Sequence, residues 1–141
     1  MDHFFENDYI LIYYRADIQA VMAIWKKQPG SEDYREGFTQ CYHAVKKHKP
    51  INYCSDVSDQ GLIKPSDREW MEKELMPKVI AEGLKNVAVV VPHEIFKEYY
   101  VDRIKEAWET NIGNLKMSYF DSSDKAEEWL KVRLQEEDVS A

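Results

Sequence analysis

Apolar residues recur along this chain with two different periods, and the period switches several times between its ends. Residues 9–14 (YILIYY) and 20–25 (AVMAIW) are short β-prone runs joined by the five residues RADIQ. A connection that short joins only neighbouring antiparallel strands, so the chain is predicted to open with a hairpin. KKQPG then breaks the pattern. Ser31, followed by Glu32 and Asp33, reads as a helix start, a capping hydroxyl with acids near the positive end of the helix dipole. Tyr34, Phe38, Cys41, Tyr42 and Val45 then follow the spacing i, i+4, i+7, i+8, i+11, one face of a helix reaching about Lys47. His43 lies off that stripe and His48 near the helix end, which predicts both to be exposed.

After Pro50, residues 51–56 read as a third strand. Ser66 and Glu69 form the S-x-x-E pattern of a capping box at the start of a second helix. Trp70, Leu75, Val79 and Ile80 supply its buried side, Gly83 suits the position just past its end, and Pro77 should kink it or split it after Leu75. Residues 86–91 (NVAVVV) are apolar after the first, the pattern of a central strand covered on both faces. Pro92 and His93 open a third helix carrying Ile95, Phe96, Tyr100, Ile104, Ala107 and Trp108, which residues 111–114 end. Residues 115–120 alternate as a strand near the sheet edge does. The last helix begins at Asp121 or Ser122 and buries Ala126, Trp129, Leu130 and Leu134, leaving 136–141 as a frayed tail. The order ββαβαβαβα predicts a single α/β domain over residues 1–141. Its mixed five-stranded sheet is flanked by helices, with the later strands parallel because strand-helix-strand crossovers are right-handed.

Composition narrows the classes of function. A chain of 141 residues is the usual size of one domain, and 44% apolar residues are enough for its core. The net charge of -7 opposes a phosphate backbone, so nucleic acid is excluded as a partner. The basic run Lys46, Lys47, His48 and Lys49 falls at a predicted helix C-terminus, where cations complement the dipole. The acidic start MDHFFENDYI lacks the basic residues of a secretory signal, and no apolar run approaches about 18 residues. This predicts a soluble cytoplasmic protein with no integral membrane segment. Cys41 and Cys54 lack the spacing of a disulfide framework and are expected as reduced core residues.

Candidate chemistry gathers after the third strand, because ligands and partners meet an α/β fold at the carboxyl ends of its strands. Asp56, Ser58, Asp59, Asp67 and Glu69 bring oxygen ligands close in sequence, but their spacing matches no calcium loop, so no metal is expected. Cys54 with His43 would be a thiol and base, but Cys54 lacks a flanking glycine elbow and reads as a buried hydrophobe. With no P-loop, GxGxxG, HExxH or CxxC in the chain, no catalytic residue and no cofactor is assigned. Four tryptophans and nine tyrosines are many for a small core. Trp25, Tyr34, Phe38 and Trp70 are therefore candidates to line a cleft for a small apolar ligand or a partner face, against the alternative of plain core packing.

The order of motifs resembles the small SpoIIAA-like proteins of the STAS-type fold, in particular the single-domain versions common in Bacteroidetes. The resemblance covers nearly the whole chain. It rests on AVMAIW, the YREGF helix, the strand ending in Asp56, PSDREW, GLKNVAVVV and YFDSSDKAEEWL. It implies a bacterial cytoplasmic regulatory module without enzymatic activity. Such a module binds a protein partner or itself through a surface including Asp56, Ser58, Asp59, Asp67 and Trp70, or serves as a carrier or sensor of an apolar ligand. In switchable members a serine or threonine directly after the strand-end Asp accepts phosphate. Here Val57 follows Asp56 and the serine comes one position later, a departure from that pattern that leaves Ser58 either a candidate phosphoacceptor or, with Asp59, an ordinary turn residue bonding to its own backbone.

Overall fold

Backbone pairing turns the two periods into one mixed sheet. The computed structural model describes residues 2–95, 111–112 and 115–140. Its strands are β1 (Asp2–Glu6), β2 (Ile10–Arg15), β3 (Ala20–Trp25), β4 (Asn52–Asp56), β5 (Asn86–Val90), β6 (Asn111–Ile112) and β7 (Leu115–Phe120), and they lie in the order β1-β2-β3-β4-β5-β7-β6. β1, β2 and β3 form an antiparallel meander, β3, β4, β5 and β7 run parallel, and β6 pairs antiparallel with β7. The predicted hairpin is present, with Ile10 opposite Trp25 and Arg15 opposite Ala20. Its connection is a 3-10 turn, Ala16–Ile18, closed by Gln19 in the left-handed region at φ 47°.

Among the described residues two strands exceed the five expected. β1 is an edge strand whose pairing shifts between His3 and Phe5, and that bulge scrambles the alternation by which DHFFE would announce itself. The two residues of β6 fall where the third helix was expected to end, and no period can be read from two positions. That expected helix is described only through its first turn, residues 93–95, so Phe96, Tyr100, Ile104, Ala107 and Trp108 lie outside the described residues.

The helices are α1 (Ser31–His48), α2 (Pro65–Trp70), α3 (Met76–Ala81) and α4 (Ser123–Ser140). α1 packs on β2 and β3 and against α2 and α3, whereas α4 crosses the other face over β4, β5 and β7. Alternation along each strand separates two cores accordingly. Val21, Ala23, Trp25, Tyr53 and Val87 face α1, while Met22, Cys54, Ala88 and Val90 face Ala126 and Leu130 of α4. β5 is thus covered on both sides, as its unbroken apolar run predicts. α4 begins after Ser122, whose hydroxyl accepts from the Lys125 N–H at 3.3 Å. It continues to Ser140, so the tail expected to fray from residue 136 is helical instead.

Pro77 acts as predicted, by a specific route. Between α2 and α3 the backbone widens into a π-helical turn, Met71–Leu75, with the Met76 N–H reaching back to the Met71 carbonyl. Proline has no N–H for the carbonyl four residues earlier and its ring crowds that group, so one wide turn relieves both problems without ending the rod. On the α4 face a polar pair replaces the apolar packing. Buried Asn52 donates to the Ile18 carbonyl at 2.8 Å and the Leu130 carbonyl at 3.3 Å, and accepts from Asn86 at 2.9 Å.

α1 approaches the sheet closely because position 37 has no side chain. A Cβ there would sit 2.4 Å from the Trp25 ring, and Trp25, with none of its surface exposed, has no room to retreat. Gly37→Ala is expected to destabilise the fold by about 1–3 kcal/mol, an overpacking cost that outweighs alanine's better helix propensity. Urea denaturation of the purified variant measures this, and an unchanged midpoint would contradict the packing described.

Candidate functional site

The carboxyl ends of β3, β4, β5 and β7 point the same way, and the segment 57–64 between β4 and α2 lies across that end. The Val57 N–H continues toward β5 by donating to the Val90 carbonyl at 2.8 Å, and the Gln60 N–H closes a turn onto the Val57 carbonyl at 3.1 Å. Gly61 has φ +75°, and a Cβ on it would meet the Gln28 side chain at 2.5 Å, so the segment rests against the stretch that follows β3. Asp56 and Ser58 come together here. One carboxylate oxygen of Asp56 accepts the Ser58 N–H at 3.0 Å and also the Ser58 hydroxyl, an Asx-type turn. The hydroxyl named as a candidate phosphoacceptor is thus turned back onto Asp56. Asp59 is exposed, and beyond it Leu62 presents 86% of its surface to solvent.

The capping box is not formed. Pro65 takes the first helical position, where a missing N–H costs nothing and its fixed φ suits the helix, so Ser66 lies inside the first turn and Glu69 pairs with Lys73 at 2.6 Å. Asp67 reaches across to α1 instead. It accepts from the Ser31 hydroxyl at 2.7 Å and from Arg35 Nε at 3.0 Å. Gly30 is the residue that caps α1, so Ser31 contributes this tertiary bond rather than the predicted capping one. Arg35 lies 5.1 Å from the centre of the Trp70 ring, which is half-buried. Asp67 is buried, and the Ser31 hydrogen bond, with that of Arg35, holds its carboxyl below the ordinary value of 3.8.

Trp25, Tyr34 and Phe38 lie together beneath this end, packed on each other. Ring centres are 5.9 Å apart for Trp25 and Tyr34, 5.2 Å for Trp25 and Phe38, and 4.9 Å for Tyr34 and Phe38. All three are buried, and desolvation lifts the Tyr34 phenol to about 12. Of the eight candidates, Asp56, Ser58 and Asp59 form the surface segment, Asp67 and Trp70 the clasp to α1, and the three aromatics the floor.

Cys41 and Cys54 are free and buried on opposite faces of the sheet, and burial pushes both thiols up to about 12. Cys54 faces α4 while His43 is exposed on the outside of α1, so they do not meet. His48 is half-buried rather than exposed, stacked on Tyr14 at 4.2 Å. Among the described residues no group of three His, Cys, Asp or Glu side chains is placed to hold a metal ion. Two further features of this end were not foreseen. His93 Nδ1 lies 2.8 Å from Asp121, joining the end of β5 to that of β7, and Gln60 is buried although it looks like an ordinary polar turn residue. Only the turn signal of Gln60-Gly61 hints at the second, and nothing local hints at the first. No described helix is long and apolar enough to cross a membrane. No family model, curated protein or solved structure matches this chain.

The Asp67 clasp has a defined pH signature. Its carboxyl is depressed in the folded state, so its contribution is complete above the unfolded value of 3.8 and disappears as pH falls through the lower folded value. Asp67→Asn should therefore lower the urea midpoint at pH 7 and lower it less at pH 3, below the unfolded value. An equal loss at both pH values would show that the charge of Asp67 contributes nothing.

Proposed function

We propose that the protein is a non-enzymatic interaction module of the cytoplasm, in the STAS-like manner its motifs suggest, binding a protein partner or a second copy of itself through the segment 57–64. The observation that carries this reading is Leu62, a large apolar side chain 86% exposed on a segment whose neighbours are fixed. An isolated exposed leucine needs no explanation, but Ile95, 43% exposed, follows β5 at the same end of the sheet. The turn at Asp56 and Ser58, the Gly61 contact with Gln28 and the Asp67 clasp hold both ends of the segment. Leu62 is thereby offered with little ordering left to do on binding. A second reading, a carrier or sensor of a small apolar molecule, is supported by buried polar atoms of Trp25 and Gln60 at the same end.

Photo-crosslinking in expressing cells tests the partner surface. Benzoylphenylalanine at position 62 should give a discrete adduct, and the same group at Lys46, exposed on the outer side of α1, should not. Leu62→Ser, introduced into unlabelled competitor, should fail to suppress that adduct while changing stability by less than about 0.5 kcal/mol. Equal labelling from both positions, or none from position 62, would count against the surface.

A further inference from the structure

Two buried donors at one end of the sheet have no acceptor. Trp25 Nε1 and Gln60 Nε2 are shielded from solvent, and no described residue accepts a hydrogen bond from either. Trp25 is 0% exposed and Gln60 8%. They belong to one neighbourhood of the fold. Ile24 pairs with Asp56, so Trp25 and Val57 leave the sheet side by side. Val57 and Ile63 pack against the cluster that contains Trp25, the Gln60 N–H bonds back to Val57, and Gly61 lies against Gln28. The segment 57–63 therefore folds over the end of β3 with Gln60 on its inner side.

Buried polar groups are satisfied in nearly all folded proteins, and each exception calls for an explanation. An indole N–H is a donor only, so whatever completes Trp25 must bring an acceptor; the Gln60 amide then presents its N–H end to the same kind of group. Charge selects among acceptors. Asp56 and Asp59 lie on the covering segment, the nearby guanidinium of Arg35 is engaged by Asp67, and the chain carries a net charge of -7. Lys64, directly after the segment, and Arg35 both act on Asp67, so a carboxylate or phosphate would enter a place whose nearby cations already face a carboxylate. An uncharged oxygen meets no such penalty.

We propose that the segment 57–63 closes over the carbonyl oxygen of a small, uncharged, mainly apolar molecule, held by Trp25 Nε1 and Gln60 Nε2. This rests on the carrier reading and is independent of the Leu62 surface. The Trp25 ring, Val57 and Ile63 supply the apolar contact, and Gly61, with its positive φ, is the point at which the covering segment turns. Retaining two unpaired donors inside a core lowers the stability of the unliganded protein, the usual trade at a binding site.

The probe is acetophenone, uncharged, apolar and bearing one carbonyl. In nitrogen-15 spectra of the intact chain, with the Trp25 indole signal assigned through Trp25→Phe, titration should move that signal and the Gln60 side-chain amide saturably downfield. Gln60→Met, which removes the orphan donor at similar volume, should bind acetophenone at least about tenfold more weakly and melt about 2–8 °C higher without ligand. The wild-type indole signal gives an answer even where the variant folds poorly. Failure of either signal to saturate would overturn the proposal, as would a lower melting temperature for Gln60→Met. A water cross-peak to the indole N–H that persists unchanged at saturating acetophenone would also overturn it, by identifying a structural water as the acceptor. None of these outcomes bears on crosslinking at position 62.

Discussion

The contact of Trp25 with Gly37 is the constraint from which the rest of this architecture follows. An indole at the end of β3 is fully buried only if the helix above it comes down to backbone distance, and a glycine at position 37 permits that. Once α1 is seated there, Tyr34 and Phe38 close around the indole, and Ser31 and Arg35 are delivered to the first turn of the helix. Those two side chains meet Asp67 and so fix α2. Because α2 is fixed, the segment before it is held at both ends, at Asp56 by its turn and at Asp67 by the clasp. The position of Leu62 thus traces back through four contacts to one missing Cβ.

The opposite face is built on a different principle. α4 is held over the parallel strands by Ala126 and Leu130, but also by Asn52, which spans from the Ile18 carbonyl to the Leu130 carbonyl, and by Arg15, which reaches Glu127 at 2.7 Å. Buried amides with fixed partners set the register of a packed element more strictly than methyl groups do, because a shifted helix leaves them unpaired. The α1 face instead combines aromatic packing with the Asp67 clasp at its edge. The unpaired donors Trp25 and Gln60 both lie at that edge, toward the carboxyl ends of the strands. Two of the four unpartnered buried polar atoms among the described residues, and Leu62 and Ile95 of their three exposed large apolar side chains, lie at the end where α/β folds meet their partners.

Much of the framework was legible in the sequence, and the reason is local periodicity. The runs 9–14, 20–25, 51–56, 86–91 and 115–120 became β2, β3, β4, β5 and β7 within one residue at each end, and the stripe from Tyr34 to Val45 became the buried side of α1. β1 was not legible because a bulge interrupts its alternation, and β6 because it is too short to have one. The capping box misled because Ser66 and Glu69 have the right spacing but Pro65 already occupies the helix start. The candidate residues do lie near one another in the fold, but their contacts were not legible. Asp67 finds its partners 32 and 36 residues upstream, and no window along the chain connects them. Gln60 looks like an ordinary polar turn residue and is buried, while Trp25 reads as a candidate to line a cleft and is the largest fully buried side chain among the described residues.

Selective line broadening in nitrogen-15 spectra, recorded as extract from expressing cells is added to labelled protein, tests most directly whether that end of the sheet is the working surface. Signals of residues 57–64 and 93–95 should broaden first, while those on the outer side of α1, such as His43 and Lys46, keep their intensity. Broadening centred on α1 or α4 with residues 57–64 untouched would contradict that role.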